Sequence, residues 1–343
     1  MNARVIAVAL TVSLLSLGSS HAWDGDGHRV VGSIADQLLK PVAKAKVAAL
    51  LGFSLRIAGP WADCVKSVQR VSDTTFKYTH SAQFGAPCVP FEAPAAAEEQ
   101  ARMENFVQRN WMLCRYRDYT SSCDNTYHFT DVPIQRSEYS RIHAGTNDRD
   151  IVQTINAAIA KLRGQPLQAP VSIGDQKEAL VLLAHLVGDL HQPLHVGAIY
   201  LDAAGGRIDF PDGSTPSDRN DTHGGNLLFD QDKVFHTEWD SIPSDLGDDA
   251  SANADMLARA RQVPATQGLV EELAAKWATD TVQLAEVVFQ GVSFRPKSAA
   301  SDRSPCWDID LPANYWTTHD ETKRRQLATA GAHLAELLNA IWP

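Results

Sequence analysis

The stretch LLAHLVGDLHQPLHVG, residues 182–197, decides the fold of this chain. Its leucines and valines have the density of a buried helix, yet three histidines and an aspartate interrupt them. Burying a polar group without a partner costs about 2–7 kcal/mol. If this helix is buried, its titratable side chains therefore need partners or a metal ion.

The spacing of these side chains indicates a metal site. His185 and Asp189 are four residues apart and so lie on one face of a helix. Pro193 ends or kinks that helix, which lets His195 return beside Asp189. Imidazole and carboxylate are typical zinc ligands. The alternative is a set of hydrogen-bonded core histidines, and for His191, which falls off this face, we expect that alternative.

Helical periodicity extends over most of the chain. Apolar residues recur every three to four positions in seven segments: 28–39, 41–52, 95–113, 150–164, 174–190, 270–289 and 323–342. Sustained alternation of polar and apolar residues is nearly absent, and the long polar stretches 201–225 and 294–318 resemble surface loops. We therefore predict one all-α domain with long loops.

The N-terminus has the pattern of a secretory signal peptide. It carries one arginine, an apolar run over 5–17 and a small-residue cleavage site that ends at Ala22. Cleavage there separates a signal peptide, 1–22, from a domain over 23–343. No later segment reaches the roughly 18 apolar residues that a membrane span needs. We expect an exported protein, periplasmic or secreted, without a membrane span.

Charge and cysteine content narrow the function classes. The 343-residue chain has a formal net charge of −10, which argues against a nucleic-acid binder that relies on a basic patch. Bound cations could meet a polyanionic substrate instead. Five cysteines in an exported chain favour disulfides. The pairs that we expect are Cys64–Cys88 and Cys114–Cys123.

Further ligand types occur in short motifs away from the central helix. The motif HTEWD again places a histidine and an aspartate four residues apart. The others are WAD, YHFTD and, at the start of the predicted domain, WDGDGH with the amine of its tryptophan. The candidate ligands in these motifs are His236 and Asp240, Asp63, His128, His28 and Trp23.

In this order the motifs resemble those of the zinc-dependent single-strand nucleases, a family of fungal and plant enzymes with bacterial relatives. The family is sister to the zinc-dependent phospholipases C. The element H-x-x-x-D-x-x-Q-P-L-H, here from His185 to His195, is specific, and GGN ending at Asn226 also matches. The resemblance covers essentially all of 23–343 and implies the same mostly helical fold.

The resemblance implies three zinc ions per chain. By position, the ligands of the first ion are Asp63, His128, His185 and Asp189. The second would be held by Asp189, His195, His236 and Asp240. The third would be held by His28, Asp189 and the amine and carbonyl of Trp23.

The resemblance also implies a reaction and a substrate. A zinc-bridging hydroxide, oriented by Asp63, would hydrolyse single-stranded DNA and RNA to 5′-phosphate products, with 3′-nucleotidase activity on nucleotides. Phe129 would stack on a base, and Asp131 would hydrogen-bond the base edge. Asn226 would contact the phosphate or shape a turn. We expect a monomer.

Three departures and two alternatives accompany this interpretation. Asp24 stands where the family usually has glycine after the tryptophan, His80 competes with His128 as a ligand, and 65–127 forms an insertion that is atypical of the family.

A zinc-dependent phospholipase C is the first alternative, although its second ligand pair usually ends in glutamate where this chain has Asp240. A non-catalytic zinc-binding exported protein is the second; an open cluster that shares one aspartate argues against it.

Overall fold

The structure is a computed structural model that describes residues 23–80, 85–92, 96–111, 126–167, 170–249, 253–296 and 306–343. Two expectations fall outside these residues, the signal peptide over 1–22 and the disulfide between Cys114 and Cys123. The expected bridge between Cys64 and Cys88 is present. Across the described part of the chain, no helix combines the length and apolar character that crossing a membrane requires.

Helices dominate the described chain, and each of the seven predicted segments overlaps one. Short polar side chains begin several of them; Asp24, Asp150 and Asp175 each accept a hydrogen bond from the backbone of the first turn. The helices are α1 (Gly25–Leu38), α2 (Pro41–Leu51), α3 (Leu55–Ala58), α4 (Trp61–Val65), α5 (Gly85–Cys88), α6 (Ala97–Asn110), α7 (Ile151–Leu162), α8 (Gln176–Leu190), α9 (Phe235–Asp240), α10 (Ala254–Gln262), α11 (Leu273–Val288) and α12 (Tyr315–Ile341).

Small sheets correct the prediction of an all-α fold. Their strands have only two to four residues, too few for alternation to show in the sequence. They pair as β1-β2, β3-β4, β5-β6 and β8-β7-β10-β9. The strands are β1 (Val68–Arg70), β2 (Phe76–Tyr78), β3 (Val132–Pro133), β4 (Gly197–Ala198), β5 (Tyr200–Leu201), β6 (Arg207–Ile208), β7 (Leu228–Asp230), β8 (Lys233–Val234), β9 (Ser293–Phe294) and β10 (Trp307–Asp310).

Helix α8 lies at the centre of the main core. Every residue from Glu178 to Leu190 is buried, and the helix packs against α1, α7, α11 and α12. A helix that is apolar on nearly all sides is stable only in such a position. A second, smaller core lies beneath α9 and the four-stranded sheet and contains Phe235, Trp239 and Trp307. The site is built where the C-terminal end of α8 approaches α9.

Candidate metal centre and substrate pocket

Nine of the predicted site residues are brought together around α8, and eight of them form three groups of potential metal ligands. Within each group, one donor atom from every residue lies within 4.8 Å of the others, and all of these residues are buried. We call them the Asp63 group (Asp63, His128, His185), the His28 group (His28, His185, Asp189) and the His195 group (His195, His236, Asp240). The ninth residue, Trp23, lies beside the His28 group.

Different elements carry these side chains to one place. His185 and Asp189 project from α8 at the expected four-residue spacing. The helix ends at Leu190, and a turn of 3-10 helix, Pro193–His195, brings His195 back towards Asp189. Helix α9 carries His236 and Asp240, again four residues apart. The chain therefore builds the centre from separate short helices around one central helix.

Asp189 belongs to the His28 group and also contacts His128 of the Asp63 group. Its Oδ1 lies 3.1 Å from Nε2 of His28, and its Oδ2 lies 2.9 Å from Nδ1 of His128 and 3.1 Å from Nε2 of His185. Burial alone would raise the pKa of Asp189, but the charge of His185 and the hydrogen bonds from His128 and His185 outweigh burial and hold that pKa well below its usual value. The carboxylate is thus ionised and surrounded by imidazoles.

The orientation and protonation of His185 are set by this carboxylate and by a backbone carbonyl. Its Nδ1 lies 2.7 Å from the carbonyl oxygen of Gly59, which can only accept a hydrogen bond, so Nε2 faces Asp189 and Nδ1 of His128, 3.0 Å away. Burial lowers the pKa of His185, yet the charges of Asp189 and Asp63 outweigh it, and the pKa is raised. A proton on Nε2 therefore occupies the position where a bound cation would satisfy the same carboxylates.

The His195 group gives the clearest test of whether a metal fits. Nδ1 of His195 lies 2.8 Å from the carbonyl of His128, and Nδ1 of His236 lies 2.6 Å from the carbonyl of Gly224. Both Nδ1 atoms must then carry hydrogen, which leaves two Nε2 lone pairs facing each other at 3.0 Å. Oδ2 of Asp240 lies 3.4 Å from Nε2 of His236. A cation between these atoms would turn repulsion into coordination.

Unpartnered buried atoms support the same fit. Neither ring nitrogen of His28 makes a hydrogen bond of good geometry to a described residue, although Nε2 lies 3.1 Å from Oδ1 of Asp189, and the same is true of Oδ2 of Asp240, 3.4 Å from Nε2 of His236. Burial, followed by the charge of His185, lowers the pKa of His28, which keeps its imidazole neutral. Buried polar atoms in native proteins are rarely left unsatisfied. Neutral imidazoles and carboxylates are a donor set that suits zinc.

The His195 group differs from the ligand set that the resemblance implies for the second zinc ion. Its members are His195, His236 and Asp240, whereas the resemblance adds Asp189 as a shared ligand. In the described structure, Asp189 belongs to the His28 group and contacts His128 of the Asp63 group. The shared residue between groups is instead His185.

His80 and His191, the two histidines considered as alternative metal ligands, lie outside the three groups. His80 bonds through Nδ1 to the carboxylate of Glu92, 2.8 Å away, and its side chain is exposed. His191 bonds through Nδ1 to the carbonyl of Val187 and through Nε2 to Nδ1 of His333, at 2.7 and 2.8 Å. His191 is therefore a satisfied core histidine, as its position on the helix predicts.

Trp23 is fully buried at the edge of the His28 group. Its indole nitrogen donates a hydrogen bond to the carbonyl of Gly188, the residue before Asp189, at 3.1 Å. The next amide, that of Asp24, donates to the carbonyl of Asp240 at 3.0 Å. The backbone at Trp23 thus passes between the ends of α8 and α9.

Two residues at the centre were missed from the sequence. Nζ of Lys66 lies 2.6 Å from Oδ1 of Asp63, and both side chains are almost fully buried. Gln192 donates from Nε2 to Oδ1 of Asp240 at 2.7 Å, which directs the other oxygen into the site. Lys66 follows Asp63 at a three-residue spacing, and Gln192 belongs to the QPLH motif, so both carried a signal that could have been used.

A pocket containing Phe129 and Asp131 adjoins the Asp63 group along the chain. Its walls also include Thr126, Gly145, Asn147, Arg149, Tyr200 and Pro216. Tyr200 donates from its hydroxyl to the carbonyl of Asp131 at 2.8 Å. A Cβ at Gly145, whose φ is +81°, would come within 2.0 Å of that carbonyl oxygen, so the wall requires glycine there. Phe129 is partly exposed and Asp131 is buried.

Hydrogen bonds join this pocket to the candidate metal ligands. The amide of Thr130 donates to the carbonyl of His195 at 2.9 Å, and the ladder continues as β3 pairs with β4. Asn226 lies on the other side, in the GGN turn; its Nδ2 donates to the carbonyl of His223 at 2.7 Å. That turn presents the Gly224 carbonyl to His236, which agrees with a turn-shaping role for Asn226.

Comparison with known proteins gives the chain a family. The family model described as S1/P1 Nuclease matches residues 23–343. The chain is also 25% identical over 257 residues to Endonuclease 1 of Arabidopsis thaliana, an alignment that covers 68% of this chain and 72% of that protein. The family model extends over all the residues that form the three groups and the pocket.

Proposed function

The chain belongs to the S1/P1 nuclease family and is a phosphodiester-hydrolysing nuclease, and we propose that it is a zinc-dependent endonuclease of single-stranded nucleic acids. Its substrates are single-stranded DNA and RNA, its products carry 5′-phosphates, and it also acts as a 3′-nucleotidase on nucleotides. One observation carries the proposal: buried ligand groups are joined, through consecutive residues His128 and Phe129, to an aromatic pocket.

Members of this family are metal-dependent, and this chain has three buried groups that could hold metal ions. We propose three zinc ions per chain, one for each group, with the backbone of Trp23 completing the His28 group. When bound, the ions act as Lewis acids toward a phosphodiester and offset the net charge of −10.

Residues next to the ligands then act on the substrate. Asp63 orients the attacking water. The ammonium of Lys66, 2.6 Å from its carboxylate, holds that carboxylate in a fixed position. Lys66 adds a buried positive charge close to the position of the scissile phosphate, where the transition state gains negative charge. Together they extend the centre beyond the metal ligands.

The adjacent pocket binds a single base without sequence specificity. Phe129 stacks on the base, an interaction that any base can make, and Asp131 accepts a hydrogen bond from the base edge. A duplex would have to be unstacked before a base could enter, which favours single strands. Asn226 holds the GGN turn beside the site and contacts the phosphate.

Export and processing complete the proposal. Cleavage after Ala22 frees the amine of Trp23, whose usual pKa near 8 allows a metal ion to displace its proton. The buried disulfide Cys64–Cys88 supports maturation in an oxidising compartment, periplasmic or extracellular. We propose that the mature enzyme acts as a monomer.

The test is cleavage of circular single-stranded DNA, which has no ends for an exonuclease. The mature protein should linearise it in the presence of zinc, and the products should accept a ligase adaptor that requires a 5′-phosphate. Asp63→Asn should abolish cleavage, whereas Asp73→Asn, which removes an exposed carboxylate paired with Arg70, should leave it unchanged. Hydrolysis of phosphatidylcholine in place of DNA would instead identify a phospholipase, and cleavage by Asp63→Asn at the native rate would refute the site.

A further inference from the structure

Parts of the 65–127 segment contact three of the helices that carry metal ligands. The first contact is covalent: Cys88, at the end of α5, forms a disulfide with Cys64 on α4. Cys64 directly follows Asp63, and both residues are buried. The bridge therefore fixes α5 to the short helix that supplies the carboxylate of the Asp63 group.

The second contact reaches α1, which carries His28. Pro87 lies so close to Gly25 that a Cβ placed there would be 2.2 Å from Cγ of the proline. Arg29 donates from Nη2 to the carbonyl of Ala86 at 3.2 Å. The displaced glycine of the WDGDGH motif thus has a steric reason: Asp24 caps α1, and Gly25 leaves room for Pro87.

The third contact reaches the start of α8. Arg109 on α6 donates from Nη2 to both carboxylate oxygens of Glu178, at 2.5 and 2.7 Å, and Glu178 is almost completely buried. Asn110 donates to the carbonyl of Ser172 and accepts from its amide, at 3.1 and 2.8 Å. These bonds fix α6 beside the helix that carries His185 and Asp189.

We propose that the described parts of 65–127 form a disulfide-locked brace that positions the Asp63 and His28 groups for metal binding. This proposal rests on the proposed function only in taking the groups to be metal sites. The brace contacts described above lead to α1, α4 and α8, whereas the His195 group is carried by α9 and the turn Pro193–His195. Loss of the brace should therefore affect two of the three ions and spare the third.

Metal release distinguishes this role from general stabilisation. In the variant Cys64→Ser/Cys88→Ser, transfer of zinc to a chromogenic chelator should become biphasic: two ions should leave at least about tenfold faster than from the native protein, and one at the native rate. A tenfold effect is the lower range for residues that position metal ligands. Lys77→Met, which removes an exposed contact to Glu104 within the same segment, is the matched control and should leave release unchanged.

Hydrogen exchange of the metal-free protein supplies a second readout. In the double variant, amides of 25–38 and 61–65 should exchange faster, and those of 228–240 should exchange at the native rate. Pro87→Gly keeps the disulfide and should reproduce the change over 25–38 alone, which covers the case in which the double variant does not fold. Equal acceleration of all three ions, or release at the native rate, would overturn the brace. A native protein that holds no zinc would overturn the proposed function instead.

Discussion

Backbone carbonyls fix the tautomers of the key imidazoles. Gly59, His128 and Gly224 each present a carbonyl to an Nδ1 atom, and the matching Nε2 atoms point into the centre. Such outer contacts commonly orient histidine ligands and raise their basicity. The candidate metal centre is therefore preorganised, since rotation of any one ring would break a hydrogen bond.

A pair of histidines on one segment tests this assignment. His195→Ala removes a proposed zinc ligand, so it should lower the zinc content by about one ion per chain and abolish DNA cleavage. His191→Ala breaks a buried contact with His333 and should cost about 1–3 kcal/mol of stability while leaving the zinc content unchanged. Metal analysis and thermal unfolding separate the two effects. Equal zinc loss in both variants would show that the face assignment on α8 is wrong.

Phe129 provides a test of the pocket. Phe129→Ala should weaken binding of a single-stranded oligonucleotide by about 1–3 kcal/mol, the contribution of one stacked base. The zinc content should not change, because the side chain contributes no ligand atom. Phe53→Ala, a partly buried aromatic on the core near α2, is the control for loss of an aromatic ring. Unaltered oligonucleotide affinity in Phe129→Ala would exclude the stacking role.

Proton uptake by His185 predicts how zinc binding depends on pH. The pKa of His185 is raised because Asp189 and Asp63 favour its charged form, so zinc must displace a proton to bind there. Zinc affinity of the native protein should therefore rise with pH until His185 is neutral in the metal-free state. Calorimetry in buffers of different ionisation enthalpy would measure the protons released. Binding without proton release would contradict the tautomer and charge assignments.

At the scale of elements, long periodic segments were predictable and short ones were not. The seven helices with repeated apolar spacing were predicted, but α3, α5 and α10 have four to nine residues and give little periodic signal. Helix α12 begins at Tyr315, eight positions before the predicted start, because the run of polar and charged residues between its first two aromatics and Leu327 shows no apolar repeat. The ligand types were predictable from spacing, and the three-residue spacing of Lys66 from Asp63 carried a similar signal, whereas Gln192 acts on Asp240, which only the fold brings close.

A buried lysine on α12 gives a prediction for helix α9. Nζ of Lys323 donates to the carbonyls of Glu238 and Ser241, at 2.5 and 2.8 Å, at the negative end of the helix that carries His236 and Asp240. Lys323→Met should lower stability by about 1–2 kcal/mol, a value typical of a partly buried charge at a helix end, and should speed release of one zinc ion.

An exposed lysine beside the same helix is the matched control. Lys233 lies 3.3 Å from the carboxylate of Glu238, and two thirds of its side chain is exposed. Lys233→Met should change stability by less than about 1 kcal/mol, as expected for a surface pair, and should leave zinc release unaltered. Equal effects of the two substitutions would show that Lys323 does not position α9.

At the scale of the whole molecule, the net charge predicts that substrate binding depends on the proposed metal ions. A chain with a net charge of −10 repels nucleic acid unless ions reverse the local field. For the metal-free protein, the affinity for a non-hydrolysable single-stranded oligonucleotide should therefore stay constant or increase as salt rises from about 50 to 200 mM, because salt screens repulsion. The zinc-loaded protein should show the opposite trend. Anisotropy titrations would compare them, and a steep loss of affinity with salt in the metal-free protein would indicate an unrecognised basic surface.

The most direct measurement of the central claim is the zinc content of the purified, processed protein, determined together with its cleavage of circular single-stranded DNA. Three buried groups predict three zinc ions per chain, and cleavage should disappear as a chelator removes them and return when zinc is restored. A protein that holds fewer than three ions at saturation, or that cleaves the circle at an undiminished rate after complete removal of metal, would contradict the account.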